Sequence, residues 1–272
     1  MTDPMTDLVT VETPRDHVRV VTLRRPDQLN TMNVALVEQL TARLDEIAAD
    51  SDCRVVVLTG EGRAFCAGLD LQGYGDPERE ERLGLPLATL ERQKELAALT
   101  ERLHSLPQPV IAAVNGPAAG GGLALVCASD VRIAAEGSIF AVSFIRAGFS
   151  ACDLGVSWLL PRIVGAGPAH ELMLTGRRFD ADEARRIGLV LDVVTREALL
   201  DVALAKADEI LLNGPTQVEL TKEGMWLALE VPSLSAMIEL ENRQQVITAL
   251  TEDSAEAQRA FLEKRRPTYH RR

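Results

Sequence analysis

The sequence predicts an α/β layer fold that ends in an all-helical region, and three features lead there. Short β-branched runs alternate with segments whose apolar residues recur every three or four positions, the signature of strands and helices in layers. Two of the runs, residues 54–59 and 110–114, are almost wholly apolar, as strands covered on both faces are. From about Glu197 onward the strand pattern stops.

Taken in order, residues 1–16 are expected to be a flexible N-terminus, acidic and polar, without the basic start and apolar stretch of a signal peptide. Residues 18–23 are β-branched and short, a strand. Asn33 offers an N-cap to a helix that carries Val34, Val37, Leu40, Leu44 and Ile47 on one face. The second strand, 54–59, closes at Gly60 and Gly62. Residues 72–95 hold glycines, prolines and the charge run 78–82, which reads as a solvated surface insertion or as a mobile lid. Leu96, Leu99, Leu103 and Leu106 mark a helix ended by Pro107 and Pro109. A third strand spans 110–114, and 120–129 reads as a helix opening on glycines. Short strands are expected at 131–134, 139–142 and 191–194, with helices between them, and four more helices at 197–212, 215–229, 234–250 and 253–266. Asp253 and Glu256 sit in a capping-box arrangement at the start of the last.

Composition narrows the function. With 29 Lys+Arg against 40 Asp+Glu, the formal charge is −11, which leaves little for a basic face and argues against a nucleic-acid partner. Four scattered cysteines form no disulfide framework or zinc motif, and the four histidines have no ligand spacing, so no metal is expected. The most apolar stretch, 110–135, is broken by Asn115, Pro117, Asp130 and Arg132, so no membrane span is expected and the protein reads as cytoplasmic. Neither glycine-rich junction has the spacing of a dinucleotide fingerprint, and there is no Gly-Lys pair for a P-loop. No G-x-S-x-G elbow surrounds Ser143 or Ser157.

The two junctions are Gly62-Arg63-Ala64-Phe65-Cys66-Ala67-Gly68-Leu69-Asp70-Leu71 and Asn115-Gly116-Pro117-Ala118-Ala119-Gly120-Gly121-Gly122. Each puts small residues where a strand ends and a helix can begin, so unpaired N–H groups point outward and suit a developing anion. In this order, with Arg25-Pro26-Asp27-Gln28-Leu29-Asn30 upstream, Leu160-Pro161-Arg162-Ile163-Val164-Gly165 and Leu174-Thr175-Gly176-Arg177 downstream, and Ala260-Phe261-Leu262-Glu263-Lys264-Arg265 near the end, the chain resembles the crotonase superfamily, the enoyl-CoA hydratase/isomerase group, over residues 17 to 266.

The resemblance implies a spiral of ββα units over 17–196, a helical trimerisation region over 197–272, and a homotrimer or homohexamer. It implies an acyl-CoA or enoyl-CoA substrate, with coenzyme A as part of the substrate and no other cofactor. The Leu69 and Gly121 amides would form an oxyanion hole for the thioester carbonyl. Arg25, Ala67, Leu71, Phe261 and Lys264 would contact coenzyme A, the last two from a neighbouring subunit. The family's usual lysine after the early Arg-Pro is Asp27 here, which puts that phosphate contact in question.

Two departures matter more. The glutamates that hydratases of the family use fall on Ala124 and Phe144, and neither side chain can move a proton. Asp153 stands nearby among Phe149, Leu154, Val156 and Trp158, apolar surroundings of the kind that suit a carboxyl acid/base. It resembles the aspartate of dienoyl-CoA isomerases and that of 4-chlorobenzoyl-CoA dehalogenases; its bland role would be a helix N-cap. The sequence thus predicts a hydratase/isomerase-type enzyme with Asp153 as acid/base. The alternatives are a thioester hydrolase or dehalogenase with Asp153 as nucleophile, and a non-catalytic acyl-CoA binder.

Overall fold

In the computed structural model, which describes residues 7–72 and 75–272, the chain opens with an antiparallel pair, β1 (Val9–Arg15) and β2 (Val18–Leu23). This corrects the flexible N-terminus expected over 1–16, of which residues 1–6 lie outside the described residues. Val9 pairs with Leu23 and is buried, and Glu12 faces water. An edge strand with one wet face lacks the apolar run by which its neighbours were recognised.

Asn33 accepts the Leu36 N–H and starts α1 (Val34–Ala49). Then follow β3 (Val55–Gly60), α2 (Pro77–Leu83) and α3 (Leu85–Ser105). Residues 72–95, expected as a surface insertion or lid, are therefore largely helix, although Gly73 and Tyr74 lie outside the described residues. Asp76 caps α2 through the Arg79 N–H, and Arg79 and Arg92 join Asp76 to Glu95, so the charges fasten α2 to α3. β4 (Val110–Val114), β5 (Ala118–Ala119), α4 (Gly121–Ala128), β6 (Val131–Ala135) and β7 (Ile139–Ala141) come next. After them stand α5 (Val156–Val164), α6 (Ala166–Thr175), β8 (Arg178–Asp180), α7 (Ala181–Arg186) and β9 (Asp192–Val194). The chain ends in α8 (Leu199–Leu211), α9 (Pro215–Leu227), α10 (Leu234–Ala249) and α11 (Glu252–Glu263). α11 is capped by Thr251, not by an Asp253–Glu256 box: Glu256 instead binds Arg265 and the Thr268 N–H, which hold its carboxyl down at about 2.

The large sheet runs β1-β2-β3-β4-β6-β9, parallel except for β1-β2, and β5-β7-β8 form a small second sheet. Successive turns of the chain add a strand to the large sheet, then a short one beside β5, then a helix. β3 is followed by Cys66 bridged to Ala118, β4 by β5, and β6 by β7. This is the ββα repeat that the resemblance implies. Side chains alternate between two cores: Val56, Leu58, Ala112 and Val114 face α1, α3 and α4, whereas Val55, Val57, Ile111 and Ala113 face α8. α8 thus closes the sheet's second face through Leu199, Ala203, Leu204 and Ala207, although it lies within the expected C-terminal helical region.

Candidate active site

Two asparagines position the segment that follows β3. Asn30, fully buried, donates to the carbonyls of Glu61 and Ala64, while Asn115 donates to Gly62 and Ala64 and accepts the Gly60 N–H. Residues 65–70 then run between two neighbours: Phe65 and Cys66 donate to Pro117, Ala67 donates to Leu29, and Asp70 donates to Met32. The turn at Gly68 has φ +105°, and a Cβ there would lie 2.9 Å from the Ala119 carbonyl and 3.6 Å from the Gly121 nitrogen. A Cβ on Gly122 would meet the Cys66 carbonyl at 2.0 Å, so α4 starts hard against this segment only because it starts with glycines.

The two strand-to-helix junctions meet at a cavity of about 440 Å³. Leu69 and Gly121 both line it, and among the described residues neither amide donates to any acceptor. For Gly121 this follows from its place in the first helical turn, where N–H groups have no carbonyl one turn back. The walls are mostly apolar: Leu71, Leu96, Phe144, Ala147, Phe149 and Leu154.

Asp153 lies in the same cavity, half-buried rather than deeply buried. It does not cap α5: Gly155 holds that position and no side chain bonds there. Its Oδ1 accepts from the Leu154 N–H at 2.8 Å and from Gln93 Nε2 at 2.5 Å. Oδ2 accepts from no described residue. Leu154, at φ +46°, and Gly155, at φ +78°, turn the chain sharply after the carboxylate. The Leu154 side chain reaches toward Gly121, where a Cβ would stand 3.2 Å from its Cδ1.

Of the other residues singled out in the sequence, Ala67 and Leu71 line the cavity. Arg25 does not: its guanidinium binds Asp70 at 2.9 Å and the Thr31 carbonyl and hydroxyl, so it braces the 65–70 segment from behind. Phe261 and Lys264, exposed on and just after α11, are not part of the lining either. Ala124 is buried in α4, and Phe144 lines the cavity. Gln93, Ser143 and Arg146 also line it and were missed; a polar residue on a helix has no sequence signal that tells a cavity from solvent. Burial pushes the thiols of Cys53, Cys66 and Cys127 up to about 12, so none supplies a thiolate. Among the described residues no three His, Cys, Asp or Glu side chains could share a metal ion, and no helix is long and apolar enough to cross a membrane.

Comparison with known proteins adds context. The family model described as enoyl-CoA hydratase/isomerase matches residues 14–272. A Mycobacterium tuberculosis protein named probable enoyl-CoA hydratase EchA12 is 41% identical over 263 residues, 96% of this chain and 92% of the relative. The 1,2-epoxyphenylacetyl-CoA isomerase of Escherichia coli is 35% identical over 93% of this chain and 94% of its own length. The solved structure of an enoyl-CoA hydratase from Bacillus anthracis superposes with a TM-score of 0.90 at 36% identity, covering 97% of this chain and all (100%) of that one.

Proposed function

The chain belongs to the enoyl-CoA hydratase/isomerase family and is an enzyme of that acyl-CoA type, and from that premise we propose that it moves a proton within a CoA thioester, with Asp153 as the carrier. The observation that carries this reading is the pairing of two unengaged amides, Leu69 and Gly121, with a single carboxylate on one cavity. The thioester oxygen would accept from both N–H groups, and each such donor lowers the barrier to an enolate by about 3 kcal/mol. Asp153 Oδ2 takes a proton from C2 of a 3-enoyl thioester, and the C–H electron pair passes into the dienolate. The same carboxyl returns the proton at C4, and the double bond ends between C2 and C3. Nothing else is consumed.

Hydration asks for a second group to activate water. The family's two glutamate positions carry Ala124 and Phe144, so isomerisation is the reaction this site supports best. Ala67 and Leu71 at the cavity would take the adenine end of coenzyme A. Phe261 and Lys264 would come from a neighbouring copy in a homotrimer or homohexamer, consistent with their exposure here.

Two assays test the reading: isomerisation of a 3-enoyl-CoA, and exchange of the C2 protons of a saturated acyl-CoA in heavy water. Both should proceed and should fall about 100-fold or more in Asp153→Asn. Full activity in Asp153→Asn would remove the assignment. An ester trapped on Asp153 by mass spectrometry would favour the hydrolase or dehalogenase chemistry, and tight acyl-CoA binding with no exchange would favour the binder.

A further inference from the structure

We propose that Gln93 is the positioning residue for Asp153 and that, through it, α3 decides which carboxylate oxygen does the chemistry. This rests on Asp153 being the proton carrier. A free carboxylate turns about its last bond and presents either oxygen to the substrate. Here Gln93 Nε2 and the Leu154 N–H converge on Oδ1, at 2.5 and 2.8 Å, and a carboxylate bound twice on one oxygen presents the other. Among the described residues Oδ2 has no donor, so it is the oxygen left to face a substrate carbon.

Amide chemistry suits this task. A lysine or arginine at residue 93 would hold Oδ1 equally well, but its charge would pair with the carboxylate that has to accept a proton. A neutral amide fixes direction without supplying that charge. The support is mechanical as well. Gln93 and Leu96, neighbours on one face of α3, both line the cavity. Below them Thr100 abuts the turn that carries Asp153: a Cβ on Gly155 would lie 3.4 Å from Thr100 Cγ2. α3 is in turn fastened to α2 by the Arg79 and Arg92 ion pairs. The hydrogen bond joins residues sixty positions apart, Gln93 on α3 and Asp153 in the turn that leads into α5.

The test uses C2-proton exchange on a saturated acyl-CoA, with kcat and KM measured separately and folding checked by thermal melting. Gln93→Leu keeps the volume and removes the donor. It should lower kcat for exchange about 100-fold, the cost of a misaimed base, and leave KM within about threefold. Gln93→Glu keeps the shape and sets an anion against Oδ1. Its deficit should exceed that of Gln93→Leu near neutral pH and narrow as the pH is lowered and the new carboxyl protonates and can donate. Unchanged kcat in Gln93→Leu, equal losses expressed mainly in KM, or a Gln93→Glu variant as active as the parent would each overturn the proposal. If Asp153→Asn exchanges normally, the proton-carrier reading itself has failed. If Asp153 is essential and Gln93 inert, only the positioning role is lost.

Discussion

Leu154 sits in the left-handed region at φ +46°, buried, directly after the carboxylate that faces the cavity. Strain of this kind costs about 1–3 kcal/mol and persists where packing over-determines it. Here the leucine side chain is wedged toward Gly121 while α3 backs the next residue. The sequence pointed to Asp153 through its resemblance to the aspartates of dienoyl-CoA isomerases and 4-chlorobenzoyl-CoA dehalogenases and through its apolar neighbours. The strain is invisible in it, because nothing about leucine announces a positive φ. His104 shows a second effect at this scale. Its ring lies between Trp158 and Trp226, centroids 6.0 and 4.3 Å away, and its Nδ1 is buried without a partner among the described residues. Burial foremost, and then the Lys222 cation, hold its pKa below the ordinary 6.5. The unfolded chain therefore binds this proton first as the pH falls. The contribution is fully present above 6.5 and is lost as the pH drops through the lower folded value. His104→Phe, which keeps an aromatic ring between the tryptophans, should flatten that slope: the urea midpoints of variant and parent would keep a constant offset above 6.5, and below it the parent's would fall faster than the variant's. Parallel curves would contradict the assignment.

At the scale of elements, α9 is held to the body by one buried cluster. Lys222 Nζ binds Asp130 Oδ2 at 2.8 Å and the Gln108 carbonyl at 3.0 Å, while Trp226 Nε1 donates to Asp130 Oδ1 and the Val110 N–H to Oδ2. Removing one partner of a buried pair leaves a charge without its counter-ion, so Lys222→Met should cost about 3–5 kcal/mol, read from denaturant unfolding. A change below about 1 kcal/mol would show that the Val110 amide and the Trp226 indole suffice for Asp130. Elements differ in how plainly the sequence announces them. β2 and β4 lie where their apolar runs predict, and α1 starts at the cap that Asn33 offers. β5 and β8, two and three residues long, have too few side chains to carry a period, and they form because neighbouring turns of the spiral offer partners. Residues 77–83 read as charged surface, and they are; what went unseen is that their charges pair within two helices.

Across the whole molecule the C-terminal helices stand out. α10 buries Met237 alone, and α11 only Asp253 and Ala260. Leu234, Leu250, Phe261 and Leu262 are each 78–84% exposed. Large apolar side chains on nearly bare helices mark a surface for association, and the homotrimer or homohexamer proposed above would make the partner another copy. Light scattering should therefore give three or six times the monomer mass. Phe261→Asp combined with Leu262→Asp should lower it and weaken acyl-CoA binding together. A monomeric parent with full activity would contradict both the assembly and the shared coenzyme A site.

By itself, the sequence was enough to place the chain in its family, to mark the two glycine junctions, and to suggest, through the family resemblance, that Ala124 and Phe144 take the place of the hydratase glutamates. These are matters of residue identity and order, which a chain carries whether folded or not. Only the tertiary structure decided that Leu69 and Gly121, whose amides bond to no described acceptor, line the cavity that holds Asp153, that Arg25 spends its charge on Asp70, and that Gln93 reaches the carboxylate. The physical reason is direction. Every residue but proline has an N–H, and polar side chains recur on most helices, so what separates a working group from its many equals is where the fold aims it.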